Sequence, residues 1–307
     1  MSAPAPPIEV AHLSRWYGNV VAVNDVSFTA GSGITGLLGP NGAGKSTLMH
    51  ILAGLLAPSA GRVAIEGQPT WRRPELYRRV GLVPEREAVP GYLTGLEFAR
   101  LSATFHGLTD PRAAAERAIA TVDLVAAAGR PIGTYSKGMR QRAKVAAALV
   151  HDPPILLLDE PFSGLDPRQR LHLLDLLRSM AGEGRAILFS SQILEEVERL
   201  ADRVLVMFAG RLAAAGDVRQ LRRLMTDRPR GFLVRSSDDR RLAAALLADR
   251  SVDGADLADG HIALRVADHD GFARLLPVAA RGAGIRLLEV RPTDETHESV
   301  FAYLVGR

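Results

Sequence analysis

Between Leu38 and Thr47 the chain reads LGPNGAGKST, a spacing of glycine, lysine and hydroxyl that can hold a phosphate chain. Gly39, Gly42 and Gly44 let the backbone turn tightly and aim its N–H groups inward, where side chains would obstruct. With Asn41, Ala43 and Thr47 they complete the cradle. Lys45 adds a compact positive charge, and Ser46 Oγ can ligate Mg²⁺. The preceding ITGLLG reads as a buried strand and the following STLMHILAGLL as an apolar-striped helix. A strand, a glycine loop and a helix N-terminus together direct amides and a helix dipole at an anion. A glycine-rich turn matching by chance would lack those flanks.

Two further stretches carry chemistry. In ILLLDEPFSGLD, four apolar residues carry Asp159 to a strand end, where it can hold the water shell of a Mg²⁺ beside Ser46. Glu160 follows directly and is placed to polarise an attacking water as a general base. In TYSKGMRQRAKVAAALVHDP, Ser136 stands where a helix begins, and Met139, Ala143, Ala146 and Val150 form one apolar stripe. Ser136 and the bare N–H of Gly138 make a second anion site at that helix start. Taken alone, the segment is an ordinary capped helix. One nucleotide does not need two such sites in one chain, so the second is expected to close on a nucleotide held by another copy.

The elements that position these residues are legible in outline. The 307 residues suffice for two domains, and 47% hydrophobic with 23% charged content fits a globular protein. No apolar run approaches the roughly eighteen residues of a membrane span. MSAPAPPIEV has neither a basic start nor an apolar stretch, so residues 1–7 are expected to be a disordered lead rather than a secretory signal. Cysteine is absent, which excludes disulfides and thiolate chemistry. The net charge of +4 is scattered, giving nucleic acid no basic stripe to bind. Lys45, Lys137 and Lys144 are the only lysines in an otherwise arginine-using chain. A point charge suits a phosphate loop where a planar fork does not.

Strands of a sheet bordering the phosphate loop are expected at IEVAHL, VVAVNDVSFTA and GRVAIEG, then two helices without strands between Thr94 and Gly129, then strands at ILLLDE and RAILFSS. That is an α/β fold with a mostly parallel sheet and an inserted helical subdomain. A charged boundary near residues 216–230 leads to a strand-helix-strand-strand-helix-strand pattern. This predicts a small α+β domain of ferredoxin-like βαββαβ type, with a closing helix from about Asp294 to Val305. Having no convergent polar cluster, it reads as a regulatory or docking module.

The phosphate loop alone leaves kinases, GTPases, helicases and transport ATPases open. The full set of motifs, from Ile8 to Leu224, resembles an ABC-transporter ATPase, the nucleotide-binding subunit that drives a membrane permease. GPNGAGKST matches its Walker A, YSKGMRQ its signature, ILLLDE its Walker B and SGLD, ending in Asp166, its D-loop. Tyr17, in SRWYGNVVAVNDVSF, falls at the aromatic that stacks on adenine. The resemblance implies a P-loop NTPase core over residues 8–227, its helical subdomain at about 86–152, and a C-terminal module over 228–307. It implies ATP and Mg²⁺ as ligands. It also implies a second ATPase subunit, identical or similar, paired head to tail so that Ser136, Gly138 and Asp166 face the partner's ATP. An integral membrane permease would hold the chain at the cytoplasmic face of the membrane. PTDETHESVFAYL is similar to the tail of drug, polyketide-antibiotic and polysaccharide exporter ATPases. A soluble ABC protein or a non-hydrolysing regulatory subunit are the alternatives.

Three motifs depart from the family pattern. In VGLVPE the Q-loop glutamine is replaced by Glu85, which keeps an oxygen for Mg²⁺ but adds negative charge near the γ-phosphate. In SSQILEEVERLADRV the switch histidine is replaced by Gln192, which donates a hydrogen bond but cannot become cationic. In the signature, Lys137 stands for the first glycine and Met139 for the final polar residue. Glu160 survives, which favours hydrolysis.

Overall fold

The computed structural model describes residues 6–86, 89–217, 230–258 and 260–292. The chain forms two compact units, Met1–Val218 and Arg219–Arg307. The expected boundary residues 218–229 and the expected closing helix after Asp294 lie outside the described residues.

In the first unit, β1 (Ile8–Tyr17), β2 (Val20–Ala30), β4 (Ala60–Ile65) and β5 (Gln68–Pro69) make an antiparallel sheet, ordered β2-β1-β4-β5. A second sheet runs β10-β9-β3-β8-β7-β6. It comprises β3 (Gly33–Leu38), β6 (Val80–Val83), β7 (Ile155–Leu158), β8 (Ala186–Ser191), β9 (Arg203–Phe208) and β10 (Arg211–Asp217). Every pair in it is parallel except β9 with β10. The expected parallel core is there, with the three early strands in a sheet of their own.

Helix α1 (Lys45–Leu52) lies in the core between the two sheets. Its Leu48, Met49, Ile51 and Leu52 pack with Leu13, Val26 and Val63 on one side and Leu37, Leu157 and Leu188 on the other. Burying four such side chains is worth about 6–12 kcal/mol in gross transfer terms, which anchors the helix that starts at the phosphate loop. On the far face, α5 (Pro167–Gly182) and α6 (Leu194–Leu200) cover the parallel strands. This two-sided cover explains why ILLL runs apolar without alternation.

The inserted helices are α2 (Gly95–Phe105), α3 (Pro111–Thr121) and α4 (Lys137–Leu149). Thr94 and Glu97 form a reciprocal capping box on α2, and Asp110 caps α3. Their mutual contacts are alanine-rich, with Ala99, Ala103, Ala115 and Ala146 fully buried, so the helices approach closely. His106, at the end of α2, stacks on His151, just after α4, at 3.6 Å between ring centroids. His151 Nε2–H donates to the Val80 carbonyl of β6 at 3.3 Å, pinning the insertion to the core.

Burial, and then the neighbouring His106, push the His151 imidazole down to about 4. An unfolded histidine gains its proton near pH 6.5, whereas native His151 stays neutral until about 4. The stability it contributes is therefore complete above pH 6.5 and is lost as pH falls from 6.5 towards 4. The full gap corresponds to about 3 kcal/mol, and partial solvent exposure reduces it to about 1–2 kcal/mol. Urea unfolding at pH 7.5 and at pH 5 measures the loss, and His151→Phe is expected to remove about 1–2 kcal/mol of the difference. An unchanged pH dependence in the variant would assign the effect elsewhere.

The second unit has the order β11 (Arg230–Ser236), α7 (Asp239–Leu247), β12 (Val252–Ala258), β13 (His261–Val266), α8 (His269–Gly282) and β14 (Leu287–Pro292). Its sheet is antiparallel throughout, ordered β12-β13-β11-β14. Phe232, Val234, Ile262 and Leu264 pack against Leu242 and Leu246 of α7 and Phe272 and Leu276 of α8. Strand residues alternate, so the other face carries the pairs Arg265–Asp256 and Arg235–Glu289.

Candidate nucleotide site

The loop between β3 and α1 opens on a cleft of about 510 Å³, lined by Val20 to Ala22 of β2, Pro40 to Thr47, Glu85 and Glu160. Gly44, at φ +99°, caps α1, and its Cα lies so near the Ala22 carbonyl that a Cβ would collide with it. Gly42 is left-handed too, at φ +79°, so the tight turn requires both glycines. Gly39 lies at the base of the loop, its Cα against the Met207 carbonyl.

Lys45 is only 6% exposed. Its Nζ donates to the Gly39 carbonyl at 2.7 Å and the Pro40 carbonyl at 3.2 Å, and lies 3.3 Å from Glu160 Oε1. The ammonium is thus held at the floor of the cleft by the loop's own carbonyls. The Glu160 contact is an ion pair rather than a well-aligned hydrogen bond.

Asp159 and Glu160 leave β7 in different directions. Asp159 is 2% exposed, and its Oδ1 accepts a hydrogen bond from Ser190 Oγ at 2.5 Å. Ser190 Oγ in turn accepts from the Glu160 N–H at 2.8 Å. Glu160 has φ +47°, a left-handed conformation that costs a non-glycine residue about 1 kcal/mol or more. Ser190, on the adjacent strand β8, holds that backbone in place and turns the carboxylate into the cleft. Burial raises the Glu160 carboxyl above its ordinary 4.5, and the Lys45 charge offsets part of the rise. A carboxylate so placed is a proton acceptor of heightened basicity.

Glu85 follows β6 and lines the same cleft as Glu160. Buried Lys144 on α4 donates to the Pro84 carbonyl at 2.7 Å and the Glu85 carbonyl at 3.2 Å, fastening the Glu85 segment to the helical insertion. Ser46 and Thr47 line the same cleft.

The other expected residues lie outside its lining. Tyr17 ends β1, 47% exposed, directly across the hairpin from Val20 of the cleft wall. Gln192 follows β8, half-buried, and its amide makes no hydrogen bond to a described residue. Ser136 caps α4, its Oγ accepting the Met139 N–H at 3.2 Å. Asp166 caps α5, its Oδ1 accepting the Gln169 N–H at 2.9 Å. These last two meet through Gly138, against which the Gln169 side chain packs, while the Lys137 stem packs against Gly164. The structure therefore brings Ser136 and Asp166 together around Gly138, which is buried beneath Gln169, and gathers Asn41 to Thr47, Glu85 and Glu160 in the cleft.

Two residues of this arrangement escaped the sequence reading. Ser190 looks like any strand-end serine in FSSQ, and only the β7–β8 pairing places it between the two acids. Lys144 stood out as one of three lysines, but its carbonyl partners are some sixty positions away.

A glycine cradle closed on a buried lysine, with an acidic pair ending the parallel strand β7, separated from β3 by β8, defines a P-loop nucleoside triphosphatase. Residues 23–163 match the family model described as ABC transporter. The daunorubicin resistance ATP-binding protein DrrA3 of Streptomyces coeruleorubidus is 34% identical over 97% of this chain and 96% of its own length. A Nod factor export ATP-binding protein I of Burkholderia lata is 38% identical over 69% of this chain and 71% of its own. A solved structure described as the ATP-binding subunit of an ABC transporter superposes with TM-score 0.64 at 33% identity, covering 70% of this chain and 92% of that one. The chain belongs to the ATP-binding subunits of ABC transporters, a family of ATPases. Among the described residues, no helix is long and apolar enough to cross a membrane.

Proposed function

We propose that this chain binds and hydrolyses MgATP within a head-to-tail pair of ATPase domains and so drives export through a separate membrane permease, from the cytoplasmic face. The observation that carries the hydrolytic reading is Glu160, a buried carboxylate of raised basicity set 3.3 Å from Lys45 in the cleft. Phosphate oxygens entering the cradle compete with Glu160 for the Lys45 ammonium. The freed carboxylate then orients a water and takes its proton, while Ser190 keeps the Glu160 backbone fixed. Ser46, Asp159 and Glu85 offer only oxygen donors, a set that suits Mg²⁺, and the ion when bound would neutralise phosphate charge.

Tyr17 serves as the adenine platform beside Val20. Ser136, Gly138 and Asp166, grouped apart from the cleft, contact the nucleotide held by the partner subunit. The names of the relatives, daunorubicin resistance and Nod factor export, support the outward direction. The ATPase domain is assigned to residues 8–227, with its helical subdomain at 86–152, and the C-terminal module to 228–307. The compact division after Val218 supports a boundary in this region. The strand-helix order and the β12-β13-β11-β14 sheet favour a ferredoxin-like type for that module, with a docking or regulatory role.

The test is steady-state ATPase activity with and without the co-expressed permease. Turnover by the wild type, stimulated by the permease, is the expected result. Gln192 is assigned a neutral hydrogen bond to the γ-phosphate, so Gln192→Ala is expected to slow turnover about tenfold to a hundredfold. Gln192→His, which keeps a donor, should slow it less. Equal rates for Gln192→Ala and wild type would make the residue a spectator. No turnover by the wild type, with a partner ATPase subunit still active, would replace this reading with that of a regulatory subunit.

A further inference from the structure

We infer that Arg15 is a positioning residue for the nucleotide base, acting by fixing the ring of Tyr17. The inference rests on the reading of Tyr17 as the adenine platform and adds to it a residue that this reading does not contain. Positions 15 and 17 lie two apart on β1, so their side chains leave the strand on one face. The Arg15 guanidinium carbon lies 4.6 Å from the centre of the Tyr17 ring. A planar cation at that distance is drawn to the negative face of the ring and covers it. Tyr17 is still 47% exposed, which leaves surface for a base to stack on.

What holds Arg15 is visible too. Its Nη1 donates to Ser59 Oγ at 3.5 Å, and the same oxygen accepts the Trp16 N–H at 3.3 Å. The Ser59 N–H donates to the Ser14 carbonyl at 2.9 Å, tying the start of β4 to this part of β1. No carboxylate pairs with Arg15 among the described residues, and its Nε is buried without an acceptor. The guanidinium is thus taken partly out of water with one long hydrogen bond and an aromatic face as its partners. A cation kept there for solubility or for an ion pair would not be arranged in this way.

The pairing β1–β2 shifts register between Leu13 and Trp16, then places Tyr17 opposite Val20, the first residue of the cleft wall. A ring already fixed beside that wall loses less freedom when a base stacks on it. Releasing it should weaken the contribution of the base and leave that of the phosphates unchanged.

Calorimetry on the full chain, with MgATP and with magnesium tripolyphosphate as a base-free probe, separates the two. Arg15→Ala is expected to weaken MgATP about three- to tenfold and leave tripolyphosphate unchanged. Arg15→Lys, which keeps the charge but not the planar fork, should recover part of the loss. In a Tyr17→Ala background, Arg15→Ala should have no further effect. If Tyr17→Ala weakens MgATP and Arg15→Ala does not, the role of Arg15 is overturned and the platform stands. If Arg15→Ala weakens both probes equally, the residue is merely structural and the inference fails. If Tyr17→Ala leaves MgATP binding untouched, the platform itself falls, and the inference with it.

Discussion

Lys45→Ala is expected to weaken MgATP binding about 30- to 1,000-fold, the largest effect on affinity that any one side chain of the cradle can produce. The ammonium is 6% exposed and already held by the Gly39 and Pro40 carbonyls, so it meets the phosphates without a search over rotamers. Charge-assisted contacts in so dry a place are worth about 2–4 kcal/mol, which sets the range. The substitution also strips Glu160 of its positive neighbour, so burial then acts on that carboxyl unopposed and favours its neutral form. The variant should consequently fold without a stranded charge, and calorimetry can compare like with like. Lys45→Arg is not expected to restore affinity, because a planar fork does not fit where two carbonyls grip a point charge. Affinity within threefold of wild type for Lys45→Ala would remove the cleft from nucleotide binding.

Much of this cradle was readable before any coordinate, because its parts are local. The strand, the glycines and the helix are contiguous, and Ser136, Thr94 and Asp166 announce helix starts by residue type. The second unit was likewise legible in its order, since its helices are amphipathic and β13 alternates between buried and more exposed residues. The unread parts depend on pairs distant in sequence. VGLV, RVLVMF and RLAAAGD form β6, β9 and β10, but short apolar runs beside helices do not declare themselves as strands. That β1, β2 and β4 share a sheet was expected, but nothing local separates it from the parallel one, since that depends on which hydrophobic face meets α1. The bridge of Ser190 between Asp159 and Glu160 shares this character. Ser190 is unremarkable by type until the register of β7 and β8 sets it between the two acids.

Glu160→Gln is expected to lower turnover by about a hundredfold or more while preserving both fold and ATP binding. Burial already favours the uncharged form of this side chain, so a neutral isostere suits its surroundings, and the melting temperature should move by only a few degrees. Ser190 grips the backbone N–H rather than the side chain, so the left-handed turn at Glu160 persists in the variant. Lys45 loses a competing anion and is left to the phosphates, so ATP affinity should hold or rise. What disappears is the carboxylate that pairs with Lys45 in the cleft, and with it the group that takes the proton from water. Bound but uncleaved ATP should then accumulate, and light scattering at saturating MgATP should show twice the mass of the chain. In the wild type, the acidic limb of kcat/KM should lie above pH 4.5, because the base must lose its proton to work and burial resists that loss. Glu160→Gln should abolish that limb along with the rate. Turnover within a few-fold of wild type would move the base to another residue. A variant that is inactive yet monomeric at high ATP would keep Glu160 as the base and make the partner a different, similar chain.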